Sequence, residues 1–255
     1  MKQKTIFGST KRIIAFACFA ILLSVTGMAQ KKISTSSVDT LFYFYYENAP
    51  RLEKILPGPP SLTSPRFYYD WSQYREGLSV RDTPRGDTAR ADASYTAAYM
   101  MKRFGAVMGQ ELTPESHPQM YQLLNSLHGA ERTTVASAKF YYKRKRPYQQ
   151  FKEPSGYPKD ERKTDFTFYP SGHTTSAWLM GMTMSAIDPA HLEPIMKVAY
   201  DMGQSRVILG FHYQSDVDEG RLAGSITFAR LCAIPSFLKQ LKKVQEEFKK
   251  KSVKQ

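Results

Sequence analysis

The chain has 255 residues, of which 42% are hydrophobic and 23% are charged, a composition typical of one globular domain with a sizeable core. This composition excludes a disordered or collagen-like chain. Lysine and arginine outnumber aspartate and glutamate by 36 to 23, which gives a net charge of +13 and favours anionic partners.

The N-terminus has the three parts of a secretory signal peptide. Basic residues precede an apolar run over 13–25, which is short for a membrane span, and small residues follow it up to Ala29. We predict cleavage after Ala29, a flexible leader over 30–40 and a single soluble domain over 30–255 in the periplasm. Lipid attachment at Cys18 is the alternative, which the apolar residues beyond it disfavour.

Cysteine usage excludes a disulfide-stapled fold. If the signal peptide 1–29 is removed, Cys232 is the only cysteine left, so no intramolecular disulfide is possible. Because Cys232 lies in the mostly apolar stretch 226–234, we predict that it is a small buried core residue.

Helical patterns dominate the rest of the chain. Residues 41–56 are aromatic, the prolines of 57–60 interrupt any helix, and we expect an extended loop to about residue 65. A helix start is predicted at Pro84. The predicted helical segments are 88–107, 113–127, 133–145, 171–187, 189–203, 204–211 and 216–231. Alternating β-branched residues are nearly absent, so the sequence predicts an all-α helical bundle.

The basic tail, residues 235–255, has apolar residues at helical spacing: Phe237, Leu238, Leu241, Val244 and Phe248. We predict a terminal helix that packs on its own domain and exposes its lysines. Binding to an anionic membrane surface is the alternative. Since no segment after the N-terminal one has the length of a membrane-spanning helix, we expect no stable membrane insertion.

Three short segments, 139–147, 169–173 and 203–216, bring cations and histidines together in the sequence. Phosphoryl transfer without a metal requires cations and hydrogen-bond donors around the equatorial oxygens. The candidate phosphate ligands are the side chains of Lys139, Arg146 and Arg206, with Ser171 and the N–H of Gly172 at a predicted helix start. We therefore expect neither a metal nor a cofactor.

Two histidines in these segments suit the two chemical roles that remain. Asp216 follows His212 by four residues, one helical turn, so its carboxylate can accept the Nδ1 proton and leave Nε2 free. We predict that His212 is the nucleophile and His173 the general acid. The other three histidines, His117, His128 and His191, are interpreted as structural.

The order Lys-x6-Arg-Pro, Pro-Ser-Gly-His, Ser-Arg-x5-His-x3-Asp resembles the motifs of the phosphatidic-acid-phosphatase type 2 superfamily, which also contains the vanadium haloperoxidases. Within it the chain is most similar to the bacterial class A non-specific acid phosphatases, over about residues 50–232. The resemblance implies an all-α fold and metal-independent hydrolysis of phosphate monoesters at mildly acidic pH. It also implies the site roles given above and a possible homo-oligomer.

One residue departs from the family pattern. Phe168 stands two residues before the proline of the second motif, where the family usually has a small residue, which puts the leaving-group pocket and the substrate range in question. Three alternative functions remain open: a vanadate-dependent haloperoxidase with vanadate on His212, a lipid-phosphate phosphatase and a non-enzymatic polyanion-binding protein. No nucleic-acid recognition motif accompanies the positive charge, so we expect no nucleic-acid partner.

Overall fold

The computed structural model describes residues 43–162, 165 and 167–252. These residues form nine α-helices, four short 3₁₀ turns and no β-strand, so the predicted all-α fold is confirmed. The α-helices are α1 Pro65–Ser79, α2 Pro84–Ala91, α3 Ala97–Val107, α4 Pro118–Tyr142, α5 Pro147–Phe151, α6 Gly172–Ile187, α7 Leu192–Ile208, α8 Gln214–Cys232 and α9 Pro235–Ser252. The predicted signal peptide, leader and Cys18 lie outside the described residues.

Helix α6 is the central helix of the bundle. It packs along α7 and α8 and also contacts α3, α4 and α9, which together enclose the largest hydrophobic core. The close approach of α7 requires small residues, since a Cβ on Gly181 would lie 2.7 Å from the Cβ of Ala199. The rigid position of α6 matters for function because the second sequence motif lies at its N-terminus.

Helix α4 is one helix of 25 residues, whereas the sequence patterns predicted two, over 113–127 and 133–145. The helix runs through Gly129, because the apolar contacts of buried neighbours such as Leu127 and Ala130 outweigh the roughly 1 kcal/mol that a helical glycine costs. The predicted start was also wrong. Thr113 and Ser116 instead form a turn through reciprocal hydrogen bonds between their side chains and backbone N–H groups.

The predicted helix over 88–107 is broken into α2 and α3 by residues 92–96. Asp92 is buried there, and its carboxylate accepts hydrogen bonds from Tyr99 (2.8 Å), Arg103 (3.0 Å) and the hydroxyl of Ser205 in α7 (2.8 Å). The buried carboxylate of Asp92 is therefore satisfied in part by Ser205, which lies far away in the sequence. The periodicity of one segment cannot show such a contact.

The predicted division of 189–211 at Gly203 was also wrong. Residues Pro189–His191 form a 3₁₀ turn, and α7 then continues without interruption through Gly203 to Ile208. The glycine serves packing, since a Cβ there would lie 2.9 Å from the Cγ2 of Thr174 in α6. It brings α7 close to α6 near the second motif.

Helix α9 packs on the domain, as predicted, with Phe237 and Val244 fully buried. Leu238 was wrongly placed in its apolar face and is 46% exposed. Cys232 is likewise exposed rather than buried, because it lies at the end of α8 and points about 100° away from the buried Leu231. Among the described residues, no helix is both long and apolar enough to cross a membrane.

Candidate active site

A cavity of about 610 Å³ opens where the ends of several helices meet. Six of the eight predicted site residues line it: Lys139, Arg146, Gly172, His173, Arg206 and His212. They come from the end of α4, the start of α5, the start of α6, the last turn of α7 and the loop before α8. The fold therefore brings all three sequence segments to one place.

Ser171 and Asp216 lie behind the cavity wall and hold it in shape. Ser171 is the N-cap of α6, and its Oγ accepts from the N–H of Thr174 at 3.3 Å. Its own N–H donates to the carbonyl of Asp216 at 3.0 Å, which joins the starts of α6 and α8. Ser171 is fully buried and does not line the cavity, so the predicted direct contact with phosphate remains a prediction.

Lys139 and Arg206 differ in the hydrogen-bond partners that they already have. Lys139 Nζ donates to the carbonyls of Thr167 (3.2 Å) and Pro170 (3.0 Å). Arg206 is 2% exposed, and its Nε and Nη1 have no hydrogen-bond partner among the described residues. Such buried donors are costly unless a ligand satisfies them. Arg206 can therefore donate two hydrogen bonds to an anionic ligand without breaking an existing one.

Electrostatics support the same conclusion. Burial lowers the pKa of Lys139 to about 8, and burial with repulsion from Arg206 lowers the pKa of Arg146 to about 9. Burial also lowers the pKa of Arg206 to about 10. Burial is the largest cause of all three shifts, so each cation loses solvation in the cavity, a cost that an anionic ligand relieves.

His212 is held by a carboxylate on one side and a guanidinium on the other. Its Nδ1 lies 3.1 Å from Asp216 Oδ2, which is the predicted contact, but His212 lies in the loop before α8 and not one turn away on the same helix. Its Nε2 lies 3.1 Å from Nη1 of Arg146. Burial, followed by the charges of Arg146 and Lys139, brings the pKa of His212 well below 6.5. The ring is therefore neutral, with Nδ1–H donating to Asp216 and the Nε2 lone pair facing the cations.

His173 faces the cavity from the first turn of α6. Its Nε2 lies 3.2 Å from the carbonyl oxygen of Ala93, and its ring stacks on Tyr95 with centroids 3.8 Å apart. Because a carbonyl only accepts, Nε2 carries a proton and Nδ1 is the nitrogen left to exchange one. Burial, followed by the charges of Arg206 and His212, brings the pKa of His173 well below 6.5, so the ring is neutral in the empty site.

The remaining histidines and Phe168 are placed around this centre. His117, His128 and His191 do not line the cavity, although Tyr95 makes an edge contact with His128 at 5.3 Å. The ring of Phe168 is buried, and the guanidinium carbon of Arg146 lies 3.6 Å above it. The unusual phenylalanine thus supports a predicted phosphate ligand. Among the described residues, no three His, Cys, Asp or Glu side chains form a metal-binding group.

Sequence reasoning missed Arg144, which connects the site to α1. Its side chain is 8% exposed and pairs with the carboxylates of Asp216 and Asp70, the latter at 2.7 Å. Asp70, fully buried, also accepts from the N–H and Oγ of Ser215. Burial opposes the charge of Arg144, but the two carboxylates outweigh it and raise its pKa. A basic run such as 143–146 is ordinarily a solvated face, so no pattern singled out this arginine.

Replacing Arg144 by methionine is expected to destabilise the fold by about 3–5 kcal/mol, because Asp70 and Asp216 are left buried without their shared cation. Urea unfolding at pH 7 measures this loss. The same substitution at exposed Lys145 is the control and is expected to change the free energy of unfolding by less than about 0.5 kcal/mol. Equal effects at both positions would contradict the bridging role of Arg144.

Comparison with known proteins agrees with this geometry. Residues 121–239 match a family model described as PAP2 superfamily. The chain is 33% identical to a non-specific acid phosphatase of Providencia stuartii over 94% of its own length and 98% of the relative's. It is 38% identical to one of Salmonella typhi, over 77% and 80% of the two lengths. The chain therefore belongs to the PAP2 superfamily and, within it, to the family of bacterial non-specific acid phosphatases.

Proposed function

We propose that this chain is an acid phosphatase that hydrolyses phosphate monoesters through a phosphohistidine intermediate, without a metal. The observation that carries the proposal is the buried guanidinium of Arg206, two nitrogens of which have no partner among the described residues, in the same cavity as a neutral His212 held by Asp216. The names of the relatives from Providencia and Salmonella support the same reaction class.

Phosphate binding is the first step of the proposed reaction. Arg206 supplies its free donors, and Arg146 exchanges its contact with His212 for a phosphate oxygen. Lys139 adds a third charge, and the start of α6 at Gly172 adds backbone N–H groups and the positive end of the helix dipole. Together they neutralise the equatorial oxygens, which is the part that a metal plays elsewhere.

The chemistry then proceeds in two displacements. The Nε2 lone pair of His212 forms a bond to phosphorus as the P–O bond to the alcohol breaks, and His173 gives the leaving oxygen a proton. Water next attacks the phosphohistidine, loses a proton to His173 and releases inorganic phosphate with the restored imidazole. Asp216 keeps the proton on Nδ1 and stabilises the positive charge on the ring.

His173 must gain a proton before it can donate one. Its pKa lies well below 6.5 in the empty site, mainly because the ring is buried and then because Arg206 and His212 are close. A bound phosphate brings negative charge beside the ring and raises that pKa. Since Nε2–H donates to Ala93, the proton is taken up and delivered at Nδ1. An acidic working pH favours this protonated form.

We also propose that the chain is exported to the periplasm, that residues 1–29 are removed and that 30–255 form one phosphatase domain. The basic, apolar and small-residue order of the N-terminus supports this. N-terminal sequencing of the protein recovered from the periplasm is expected to begin at Gln30. Recovery of an unprocessed chain in the cytoplasm would contradict it.

Activity is expected to survive chelation because protein cations already neutralise the phosphate. The test is turnover of a chromogenic phosphomonoester at mildly acidic pH, with and without excess chelator. Orthovanadate, which adopts the five-coordinate geometry of the transition state, is expected to inhibit. Loss of activity that a divalent ion restores would contradict the metal-free mechanism.

A separate measurement tests the haloperoxidase alternative. Halide oxidation with added vanadate, together with no phosphatase turnover, would favour that alternative.

Replacing His173 by alanine is expected to slow alkyl phosphates far more than aryl phosphates, by about 10²–10⁴ for the poor leaving groups, since an aryl oxide departs without a proton. The measurement is kcat for a matched alkyl and aryl pair in both proteins. His128→Ala is the control, because His128 is a nearby half-buried histidine outside the cavity lining. Equal losses on both substrate classes would contradict the general-acid role of His173.

A further inference from the structure

Glu131 places a carboxyl group inside the anion site, and the chemistry above does not use it. It lies on α4 two turns before Lys139, is 3% exposed and lines the cavity. Its Oε1 lies 2.7 Å from the point where a Cβ on Gly172 would stand, directly over the first residue of α6. The carboxyl therefore occupies the edge of the space where a phosphate must meet the helix N-terminus.

The Cε of Lys139 lies 3.9 Å from the same point over Gly172. Among the described residues, however, no cation comes within the 4.0 Å of an ion pair with Glu131. The hydroxyl of Ser176 hydrogen-bonds to it. Burial raises the pKa of Glu131 to about 7 and outweighs the opposing charges of Lys139 and Arg132.

Several other charged or titratable groups surround Glu131. They are Lys139 and Arg132 on α4, His173 on α6, Arg146, Arg206, Asp165 and His212 across the cavity, and His128 beyond Ser176. The pKa values of the three histidines lie below 6.5 because of burial, so these rings are neutral above that pH in the empty site. Arg146 and Arg206 keep pKa values of about 9 and 10. Lys139, with a pKa of about 8, is the one nearby cation whose titration approaches that of Glu131.

We propose, on the basis of the proposed phosphatase function, that Glu131 is a specificity residue that admits the phosphate group when its carboxyl is protonated and repels it when ionised. A neutral carboxylic acid over Gly172 donates a hydrogen bond to an oxyanion oxygen. A carboxylate in the same place opposes the charge of Lys139 and repels the ligand. Oxyanion binding at neutral pH therefore takes up a proton at Glu131, and affinity falls as the pH rises.

The test uses sulfate, because its charge stays at −2 throughout the range and only the protein titrates. Sulfate binding is measured by titration calorimetry between pH 5.5 and 8, which requires no turnover. If the carboxyl of Glu131, with a pKa near 7, must be protonated for sulfate to bind, the affinity for sulfate is expected to fall about tenfold from pH 6 to pH 8. Glu131→Gln is expected to match the wild type within about twofold at pH 5.5 and to bind about tenfold more tightly at pH 8.

An alternative role for Glu131 predicts the opposite change in sulfate affinity. If the carboxylate serves only to keep Lys139 charged, Glu131→Gln binds sulfate more weakly than the wild type at pH 8, and the proposal is overturned. Asp160→Asn is the matched control, since Asp160 is an exposed carboxyl on the rim of the same cavity. It is expected to strengthen binding by a similar small factor at every pH.

Proton uptake is measured in the wild type and in Glu131→Gln, because His173 and Lys139 also gain protons when an anion binds beside them. Calorimetry at pH 7.5 in two buffers of different ionisation enthalpy is expected to show about 0.8 more protons taken up for each sulfate bound by the wild type than by the variant. Equal uptake in the two proteins would overturn the role of Glu131 while leaving the phosphate site intact. Absence of sulfate binding at every pH would instead contradict the proposed function itself.

Discussion

Replacing His212 by alanine is expected to abolish phosphatase activity on every substrate, with a loss of roughly 10⁶ in kcat, comparable to removal of a protease nucleophile. The reason is that His212 is the proposed nucleophile, and the Nε2 of His173, the other histidine that lines the cavity, is already engaged by the carbonyl of Ala93. Alkali-quenched single-turnover reactions measure the phosphoenzyme directly, because a phosphohistidine is stable in base and hydrolyses in acid. None is expected in the variant, whatever the leaving group.

The control for this variant is His191→Ala. His191 is paired with Asp188 at 2.7 Å and lies outside the cavity, so its removal changes the same residue type without touching the site. Its kcat and phosphoenzyme level are expected to remain those of the wild type. Formation of a phosphoenzyme by His212→Ala would assign the nucleophile to another residue.

Asp216→Asn is expected to lower kcat by about 10³–10⁴, by analogy with the tautomer-fixing aspartate of the serine-protease triad. An amide can present its NH₂ to His212 Nδ1, which moves the ring proton to Nε2 and removes the attacking lone pair. Phosphate affinity is expected to change far less, because Lys139, Arg146 and Arg206 supply the charge. Single-turnover phosphoenzyme formation and inhibition by inorganic phosphate separate these two effects.

Asp70→Asn is the matched control for this variant. Asp70 is buried and shares Arg144 with Asp216, but it contacts Ser215 rather than His212. Its substitution is expected to reduce stability while lowering kcat by less than about tenfold, because the tautomer of His212 is untouched. Equal losses of kcat at the two positions would mean that the buried charge network, rather than the orientation of His212, limits the chemical step. Near-normal phosphoenzyme formation in Asp216→Asn would also contradict the orienting role.

The sequence predicted the local features that depend on neighbouring residues. The four-residue spacing of His212 and Asp216 predicted their contact, although His212 lies in the loop before α8 and not on the same helix, and a helix start was predicted at Ser171 and Gly172. The apolar period of the tail predicted that α9 packs on the domain through Phe237 and Val244. The last two inferences needed only the geometry of a single helix, which is regular and known in advance.

Helix boundaries were predicted less well, because glycine and alanine patterns report local propensity alone. Helix ends were predicted at Leu127 and Gly203, yet α4 and α7 run through them. At Gly203 the reason is close packing against Thr174, and a contact between two helices leaves no mark in the periodicity of one. The break at 92–96 was missed for the same reason, since Asp92 is satisfied by distant partners.

By itself, the sequence determined the fold class, the family and six of the residues that line the cavity, together with Asp216 behind His212. Only the tertiary structure decided that Arg144 holds Asp216 against Asp70, that Ala93 fixes the proton on His173 and that Glu131 lies over Gly172. The physical reason is that burial and charge compensation depend on side chains from separate helices. A buried carboxyl and a solvated one look identical in a sequence, and only the groups packed around them set their charge and their role.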